Sequence, residues 1–145
     1  MRFALFVTVL LATGCGKDIG DSCIISSDCD PNGTRYCDIS SKEGYCTIQG
    51  CDVGTCPEDS KCIRFFTGNF ENRVCGDKSE CTLDELCSNT GRCVPRSSEV
   101  RYCMATCGDS GDCRDGYECR NSDLQIEHGG EPIDSGSVKF CAPSN

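Results

Sequence analysis

Residues 107–119, CGDSGDCRDGYEC, place three cysteines six positions apart, with Gly, Asp and Ser among the residues between them. Residues of these types form turns more readily than helices or long strands. The whole chain of 145 residues has 17 cysteines, no Trp and only 2 Met, so apolar side chains for a core are scarce. Cysteine at this density predicts a small disulfide-rich fold that forms in an oxidising compartment.

The same spacing recurs along the chain. Four tandem units read C-x(4 or 5)-C-x(5 to 7)-C-x(8 to 21)-C, and they are residues 23–46, 51–75, 81–103 and 107–141. Matching cysteines of the first two and last two units lie 56 to 58 residues apart, except the final pair, which lies 66 apart. The sequence therefore predicts two eight-cysteine repeats, residues 23–75 and 81–141. The cysteines predicted to form disulfides are Cys23, Cys29, Cys37, Cys46, Cys51, Cys56, Cys62, Cys75, Cys81, Cys87, Cys93, Cys103, Cys107, Cys113, Cys119 and Cys141.

Each unit is predicted to contain one short β-hairpin. Turn-forming residues separate its second and third cysteines, and a Tyr, Val or Phe precedes its fourth, so the strands should carry the third and fourth cysteines. Little helix is expected, apart from one turn with Thr82 as N-cap and Glu85 completing a capping box. Linkers of only three to five residues between units predict a short, semi-rigid rod.

The start of the chain is predicted to be an export signal. Residues 3–12, FALFVTVLLA, form an apolar run that is too short to cross a bilayer but suits the core of a signal peptide, which we place at residues 1–14. Cys15 follows this leader directly. Removing Cys15 from the 17 cysteines leaves an even set of sixteen that can pair completely. Parity therefore indicates that Cys15 has a different role from the other cysteines.

Residues 11–15, LATGC, resemble the lipobox of bacterial lipoproteins. In that family the cysteine is acylated and the chain is cleaved just before it. The resemblance implies that Cys15 is the lipidated first residue of the mature protein and that residues 15–22 form a lipidated tether. Because Gly16 follows Cys15, the resemblance also favours the outer membrane of the cell envelope. The alternative is a secreted protein whose Cys15 is free or joins two chains.

The repeated C-x5-C-x5-C pattern, with Ser-Asp or Gly-Asp before the second cysteine, is similar to modules of small myxobacterial surface lipoproteins. It is also loosely similar to EGF-like and EB-type extracellular modules. Four cysteines allow three pairings, and the spacing alone does not choose among them. The resemblance implies first-to-third and second-to-fourth bonds within each unit, and it implies no reaction.

No catalytic site is predicted. Residues 108–111, GDSG, match the nucleophile motif of trypsin-like proteases, but Asp112 and Cys113 stand where that motif continues with Gly-Pro. The single histidine, His128, lies after the serine in the chain, and no two-barrel catalytic domain fits in this length. A polar turn at the start of the fourth unit explains the same residues.

No cofactor is predicted, and one calcium candidate is present. Asp28, Asp30 and Asn32 alternate before Gly33, as oxygen ligands do in calcium-binding loops. The position where an EF-hand needs Glu holds Ile39, however. Asp and Asn are also common turn formers, so a plain turn is the alternative.

The charge of the mature chain limits its partners. Loss of residues 1–14 removes only Arg2, so 13 basic and 23 acidic residues remain, a net charge of −10. Such a surface repels nucleic acid and suits a soluble body on a crowded cell surface. The predicted function is a lipid-anchored, non-enzymatic surface or binding protein, with the membrane as one partner and a protein or glycan ligand as another.

Two segments are candidates for recognition. Residues 63–74, IRFFTGNFENRV, form a predicted hairpin that carries Phe65, Phe66 and Phe70, although these rings can also serve to cover disulfides. Residues 120–140 are predicted to be a mobile surface loop with an exposed His128, and the alternative is a tolerated insertion without a function of its own. A rival function follows from the first segment: a secreted cysteine-rich protease inhibitor or effector that presents this loop.

Overall fold

The computed structural model describes residues 16–68, 73–134 and 136–144. The predicted signal peptide (residues 1–14), Cys15 and Phe70 lie outside the described residues. The helices are α1 (Ser26–Cys29) and α2 (Ser122–His128), with 3-10 turns at Lys78–Glu80, Arg96–Ser98 and Ser110–Asp112. The strands are β1 (Tyr36–Asp38), β2 (Tyr45–Thr47), β3 (Ser60–Phe66), β4 (Glu85–Cys87), β5 (Cys93–Pro95), β6 (Glu99–Ala105), β7 (Tyr117–Arg120), β8 (Glu131–Pro132) and β9 (Phe140–Pro143).

Eight disulfides join all sixteen cysteines between residues 23 and 141, which confirms the predicted disulfide-rich fold. They define four modules, and each module bonds its first cysteine to its third and its second to its fourth. The first module contains Cys23–Cys37 and Cys29–Cys46, the second Cys51–Cys62 and Cys56–Cys103, the third Cys75–Cys87 and Cys81–Cys93, and the fourth Cys107–Cys119 and Cys113–Cys141.

The second-to-fourth pairing implied for units 51–75 and 81–103 is wrong, because these units exchange their fourth cysteines. Cys56 bonds Cys103, and Cys75 bonds Cys87. The physical cause is the longest strand pair of the protein. Strands β3 and β6 pair along their whole length and place Cys62 directly opposite Cys103. Two disulfides therefore bridge the two predicted eight-cysteine repeats.

The third module is inserted into the second. It occupies residues 75–93, between the strands β3 and β6 that carry the third and fourth cysteines of the second module. A hydrogen bond from Thr67 N to Ser98 O, 3.0 Å long, closes the base of the insertion. The Cys56–Cys103 bond spans 47 residues and encloses the whole insertion. The middle of the chain is thus nested and not tandem.

Every module contains a short antiparallel strand pair, with its third and fourth cysteines directly opposite each other. These cross-strand pairs are Cys37 and Cys46, Cys62 and Cys103, Cys87 and Cys93, and Cys119 and Cys141. In the first and fourth modules this is the predicted hairpin. In the middle of the chain the strand pairs differ from the predicted ones, because Cys62 faces Cys103 and Cys93 faces Cys87. The helical turn predicted at Thr82 is wrong, because Glu85 begins strand β4. The Glu85 carboxylate still accepts a 3.0 Å hydrogen bond from Thr82 N. No helix within the described ranges is long and apolar enough to cross a membrane.

The expected rod is wrong, because three modules share one core. Tyr45 of the first module stacks on Tyr117 of the fourth, with ring centroids 5.5 Å apart. The Tyr45 hydroxyl accepts a 2.9 Å hydrogen bond from Ala105 N in the second module and donates to Cys141 O at 3.3 Å. The buried apolar cluster comprises Tyr45, Ile63, Met104, Tyr117, Phe140 and Ala142. Chain segments distant in sequence therefore close on one another.

The insert at residues 120–140 is folded, so the prediction of a mobile loop is wrong. It contains α2, and its strand β8 pairs with β3 of the second module. The buried Gln125 donates to Arg120 O at 3.0 Å and to Val138 O at 2.7 Å. These bonds join both ends of the insert to its helix, which is why the segment packs against the core.

Candidate functional site

Residues 16–22, predicted as a tether, are packed against the first module. Gly16 lies so close to the Cys29 carbonyl group that a Cβ would not fit between them. Further along, Gly20 N donates to Cys46 O at 2.9 Å. The predicted lipid attachment point is therefore joined to a packed segment and not to a free linker.

One contact recurs between the first and second cysteines of every module. The side chain just before the second cysteine accepts a hydrogen bond from the backbone N–H just after the first. The four pairs are Asp28 with Ile24 N at 2.9 Å, Thr55 with Asp52 N at 2.8 Å, Glu80 with Gly76 N at 2.5 Å, and Asp112 with Gly108 N at 2.7 Å. This side chain closes the loop between the two cysteines, and it is acidic in three modules and Thr55 in the second.

These bonds lower the pKa of two of the acceptors. The N–H groups of Ile24 and Ile25 hold the pKa of Asp28 below its ordinary value. Those of Gly108 and Asp109 do the same for Asp112. A carboxylate that accepts two backbone N–H groups is stabilised in its ionised form. Both carboxylates are therefore charged in all but acidic conditions.

The calcium candidate is built as a hydrogen-bonded turn. Asp30 accepts from the Thr34 hydroxyl, from Asn32 N at 2.8 Å and from Thr34 N at 3.1 Å, and these bonds lower its pKa. Asp28 is bound by its own loop, as described above. Among the residues that the structure describes, every close group of three possible metal ligands is built on disulfide sulfurs, one of them with Glu85. Asp30 therefore serves the turn that the sequence offered as the alternative, and Asp28 serves the loop before α1.

The protease-like GDSG motif is a loop-closing element of the fourth module. Ser110 begins a 3-10 turn, and Asp109 caps it by accepting from Gly111 N at 2.7 Å. His128 lies on α2, and its Nδ1 is 2.7 Å from Glu118 Oε1. The expected exposed position of His128 is wrong, because the imidazole is largely covered.

Glu118 links His128 to Arg120. The same Glu118 Oε1 accepts from Arg120 Nε at 2.9 Å. Burial opposes ionisation of Glu118, but the bonds from His128 and Arg120 outweigh it and hold the Glu118 pKa below its ordinary value. Arg120 also donates to His128 O at 3.0 Å and to Pro143 O at 2.9 Å. This buried arginine therefore fixes the insert to strand β9.

A groove of about 340 Å³ opens where the first, second and fourth modules meet, and we call it the central groove. This volume lies within the range of small-ligand pockets. The rings of Tyr45, Phe65 and Tyr102 and the side chain of Met104 form its apolar lining. Its polar lining comes from Asp38, Ser40, Ser41, Thr47, Thr67 and Arg120.

Several polar groups of the central groove already have partners within the protein. Asp38 accepts from the hydroxyls of Ser40 at 2.6 Å and Ser41 at 2.9 Å. The Thr47 hydroxyl donates to Cys103 O at 2.8 Å. The Arg120 guanidinium is held by Glu118 and by backbone carbonyls. The groove therefore offers aromatic faces with a fixed polar rim, which suits a neutral ligand better than an ion.

Two of the three candidate phenylalanines lie on β3, and the third, Phe70, is outside the described residues. Strand β3 pairs with β6 and β8, so the described part of 63–74 does not fold back on itself as predicted. Phe65 packs 6.2 Å from the Phe140 ring and 6.3 Å from the Tyr102 ring. Phe66 lies 5.7 Å from the Arg64 guanidinium and lines a second cavity of about 260 Å³. Both rings are partly buried, and these contacts join them to aromatic rings and to Arg64.

The sequence did not identify the central groove, but it contained a signal. Tyr45, Tyr102 and Phe140 each precede a fourth cysteine, and all three contribute to the groove or the core beneath it. Val74 also precedes the fourth cysteine of a predicted unit, yet it is exposed. The difference arises because Cys75 is the first cysteine of a module and not the fourth.

The disulfides also indicate the compartment in which the protein folds. Eight such bonds in a chain of this size form and persist only in an oxidising environment, so the folded protein is extracytoplasmic. Comparisons of the chain with protein-family models, with curated proteins and with solved structures gave no match.

Proposed function

We propose that this protein is a lipid-anchored surface or binding protein of the outer membrane, without catalytic activity, attached through Cys15. One observation carries the proposal. All sixteen cysteines from Cys23 to Cys141 bond to one another, so none of them is left to pair with Cys15. A single cysteine without a partner in its own chain, placed directly after an apolar leader, is what lipidation requires.

The hydrogen bonds of the polar residues that resemble a protease motif support a binding role over a catalytic one. Ser110 belongs to a capped turn, and His128 is held by Glu118, so both residues of the protease-like pattern have structural partners. The central groove provides the concave aromatic surface that a binding protein needs. The rival inhibitor function depends on an exposed loop, but Phe65 and Phe66 are partly buried.

Intact mass spectrometry of the protein from its native membrane fraction tests the anchor. We expect a chain that starts at Cys15 and carries added acyl mass, with sixteen thiols that react with an alkylating agent only after reduction. Cys15→Ser is the matched control, because it keeps all eight disulfides and should lose both the acyl mass and membrane association. An unacylated chain with a seventeenth thiol would instead support the secreted protein or the Cys15-linked dimer.

Binding in the central groove needs its own test. The purified protein is screened against an array of bacterial surface glycans and a peptide library, alongside two arginine variants. Val100→Arg places a long side chain in the groove, whereas Ile126→Arg changes an exposed residue of α2 outside the groove lining. Ligands lost by the first variant and kept by the second would support the groove as the site. Equal binding by both variants would place the site elsewhere.

A further inference from the structure

We propose that the loop before α1 forms the membrane-contacting face of the protein, with Ile24 and Ile25 inserted into the interfacial layer of a zwitterionic phospholipid bilayer. This inference rests on the proposed lipid anchor at Cys15. It adds to that anchor an orientation of the folded body on the membrane and two residues that contact lipid.

The chain between the proposed anchor at Cys15 and the folded body is short, because the residues directly after Cys15 are packed. Gly16 is packed against the Cys29 carbonyl group, and Lys17 N donates to Asp28 O at 3.3 Å. Consecutive Cα atoms are about 3.8 Å apart, so Cys15 lies within one residue of this contact. An acyl chain on Cys15 would therefore hold the end of α1 against the bilayer.

The residues beside this point are apolar and exposed. Ile24 is 83% exposed and Ile25 is 57% exposed. Both belong to the loop that leads into α1, and the axial rise of a helix from Ile25 to Cys29 is only about 6 Å. A pair of adjacent exposed isoleucines costs solvation free energy in water, and that cost is removed when the side chains enter the bilayer interface.

The loop holds these side chains outward in a fixed arrangement. The backbone N–H groups of Ile24 and Ile25 both donate to the Asp28 carboxylate, at 2.9 and 3.2 Å. The isoleucines therefore do not need to be ordered on contact with lipid, which lowers the entropic cost of insertion.

The charges around this face select the type of lipid. Asp28 and Asp30 direct their carboxylates to their own loops, and Lys17 donates to Ser22 O at 2.6 Å. Asp18 is exposed and has Arg35 at 3.6 Å. The face carries no excess of positive charge that would attract an anionic headgroup, so a zwitterionic surface is the appropriate one.

The absence of Trp from the sequence allows a direct test. Ile24→Trp introduces a single fluorophore at the proposed contact, and Leu83→Trp introduces one at a residue of the third module that is 96% exposed. Each lipidated full-length protein is reconstituted into phosphatidylcholine vesicles with and without brominated acyl chains. We expect bromine to reduce Ile24→Trp emission by about half or more, because interfacial side chains lie roughly 5–10 Å deep, and to leave Leu83→Trp unchanged.

The outcomes separate this inference from the proposed function. Acylated protein whose Ile24→Trp emission responds to bromine no more than Leu83→Trp would overturn the contact while leaving the anchor intact. A blue-shifted emission without quenching would place Ile24 against protein, and it would also overturn the proposal. Lack of acyl mass and of vesicle association would reject the anchor itself. Ile25→Trp is the second reporter, and both variants are first checked for the absence of free thiols to exclude misfolding.

Discussion

The second and fourth modules have the same disulfide pattern but fill the gap before their fourth cysteine differently. In the second, the gap between Cys62 and Cys103 contains a complete module. In the fourth, the gap between Cys119 and Cys141 contains α2 and β8, which pack onto the core. In both, the two cysteines at the ends of the gap stay directly opposite each other. The hairpin tip is therefore where this module accepts additional chain.

Such insertions add little to the free energy of closing the disulfide loop. The disulfide that closes the second module spans 47 residues, and the one that closes the fourth spans 28. Because the entropy of loop closure grows with the logarithm of length, this difference amounts to only about 0.5 kcal/mol. What distinguishes the two modules is whether the added chain contributes to the shared core.

The largest expected effect comes from removing the bond that encloses the insertion. In the chain-entropy treatment, Cys56→Ser with Cys103→Ser should lower the free energy of unfolding by about 4 kcal/mol, and Cys81→Ser with Cys93→Ser by about 3 kcal/mol. Cys103 is fully buried and next to Met104 of the core, so only the first pair should also disturb the core. Guanidinium unfolding and near-ultraviolet circular dichroism measure both quantities.

The same experiment can contradict the nested arrangement. If both double variants lost the near-ultraviolet signal equally, the third module would be part of the core and not an insertion. Peptide mapping of the unreduced protein provides the control, because it should recover a peptide pair joined through Cys56 and Cys103.

Sequence reasoning succeeded where the information was local. The spacing of cysteines and turn residues predicted short antiparallel hairpins, and the resemblance to small lipoprotein modules implied six of the eight disulfides that form. It failed for the fourth cysteines of the middle units, since the pairing of Cys62 with Cys103 depends on a long-range strand contact. The sequence does contain one local signal for the correct module boundary. Cys75-Gly76-Asp77 repeats Cys107-Gly108-Asp109, the start of the fourth module, and therefore marks Cys75 as the start of the third module.

The central groove was not predictable for the same reason. Its lining comes from three modules. The pairing of β3 with β6 brings Phe65 and Tyr102 together, and the packing of the first module against the second and fourth adds Tyr45. Linker lengths gave no information about this packing. The proposed lipid anchor, in contrast, is a prediction from contiguous residues and from cysteine parity, and it does not depend on long-range contacts.

A glycine pair tests whether the insert of the fourth module supports the core. Gly129 and Gly130 have φ values of 80° and 89°, so an alanine is strained at either position. At Gly129 a Cβ would meet nothing within 4 Å, but at Gly130 it would lie 2.7 Å from Phe65 and 2.8 Å from Phe140. We expect Gly130→Ala to be less stable than Gly129→Ala by about 2 kcal/mol in denaturant unfolding. Equal losses would mean that the insert does not press on these rings.

The contact between the first and fourth modules should have a smaller effect. Tyr45→Phe leaves Ala105 N without its hydrogen-bond acceptor and Cys141 O without this donor. The loss of unfolding free energy should be about 1 kcal/mol. Tyr36→Phe is the control. It removes one hydrogen bond, to Tyr102, from a partly exposed ring on β1, and it should lose less. A Tyr45→Phe variant as stable as the parent protein would show that the two hydrogen bonds of the Tyr45 hydroxyl add no net stability.

The smallest expected effect is on the pH dependence of stability. It should differ between modules according to whether the side chain just before the second cysteine is charged. In the fourth module this residue is Asp112, whose pKa is lowered by the N–H groups of Gly108 and Asp109, whereas in the second module it is the uncharged Thr55. A carboxyl group with a lowered folded-state pKa adds stability above its unfolded pKa of about 4, and this contribution disappears as the pH falls through the folded value.

Asp112→Asn should therefore reduce stability at pH 7 and flatten the decline in melting temperature toward pH 3. Thr55→Val also removes a loop-closing acceptor, but it should leave the steepness of that decline unchanged because no charge is lost. If both variants kept the parent's acid dependence, the low pKa of Asp112 would not be coupled to folding. The fourth module would then owe its loop to the Cys107–Cys119 bond alone, and the shared acidic position would be a feature of turn formation without a contribution from charge.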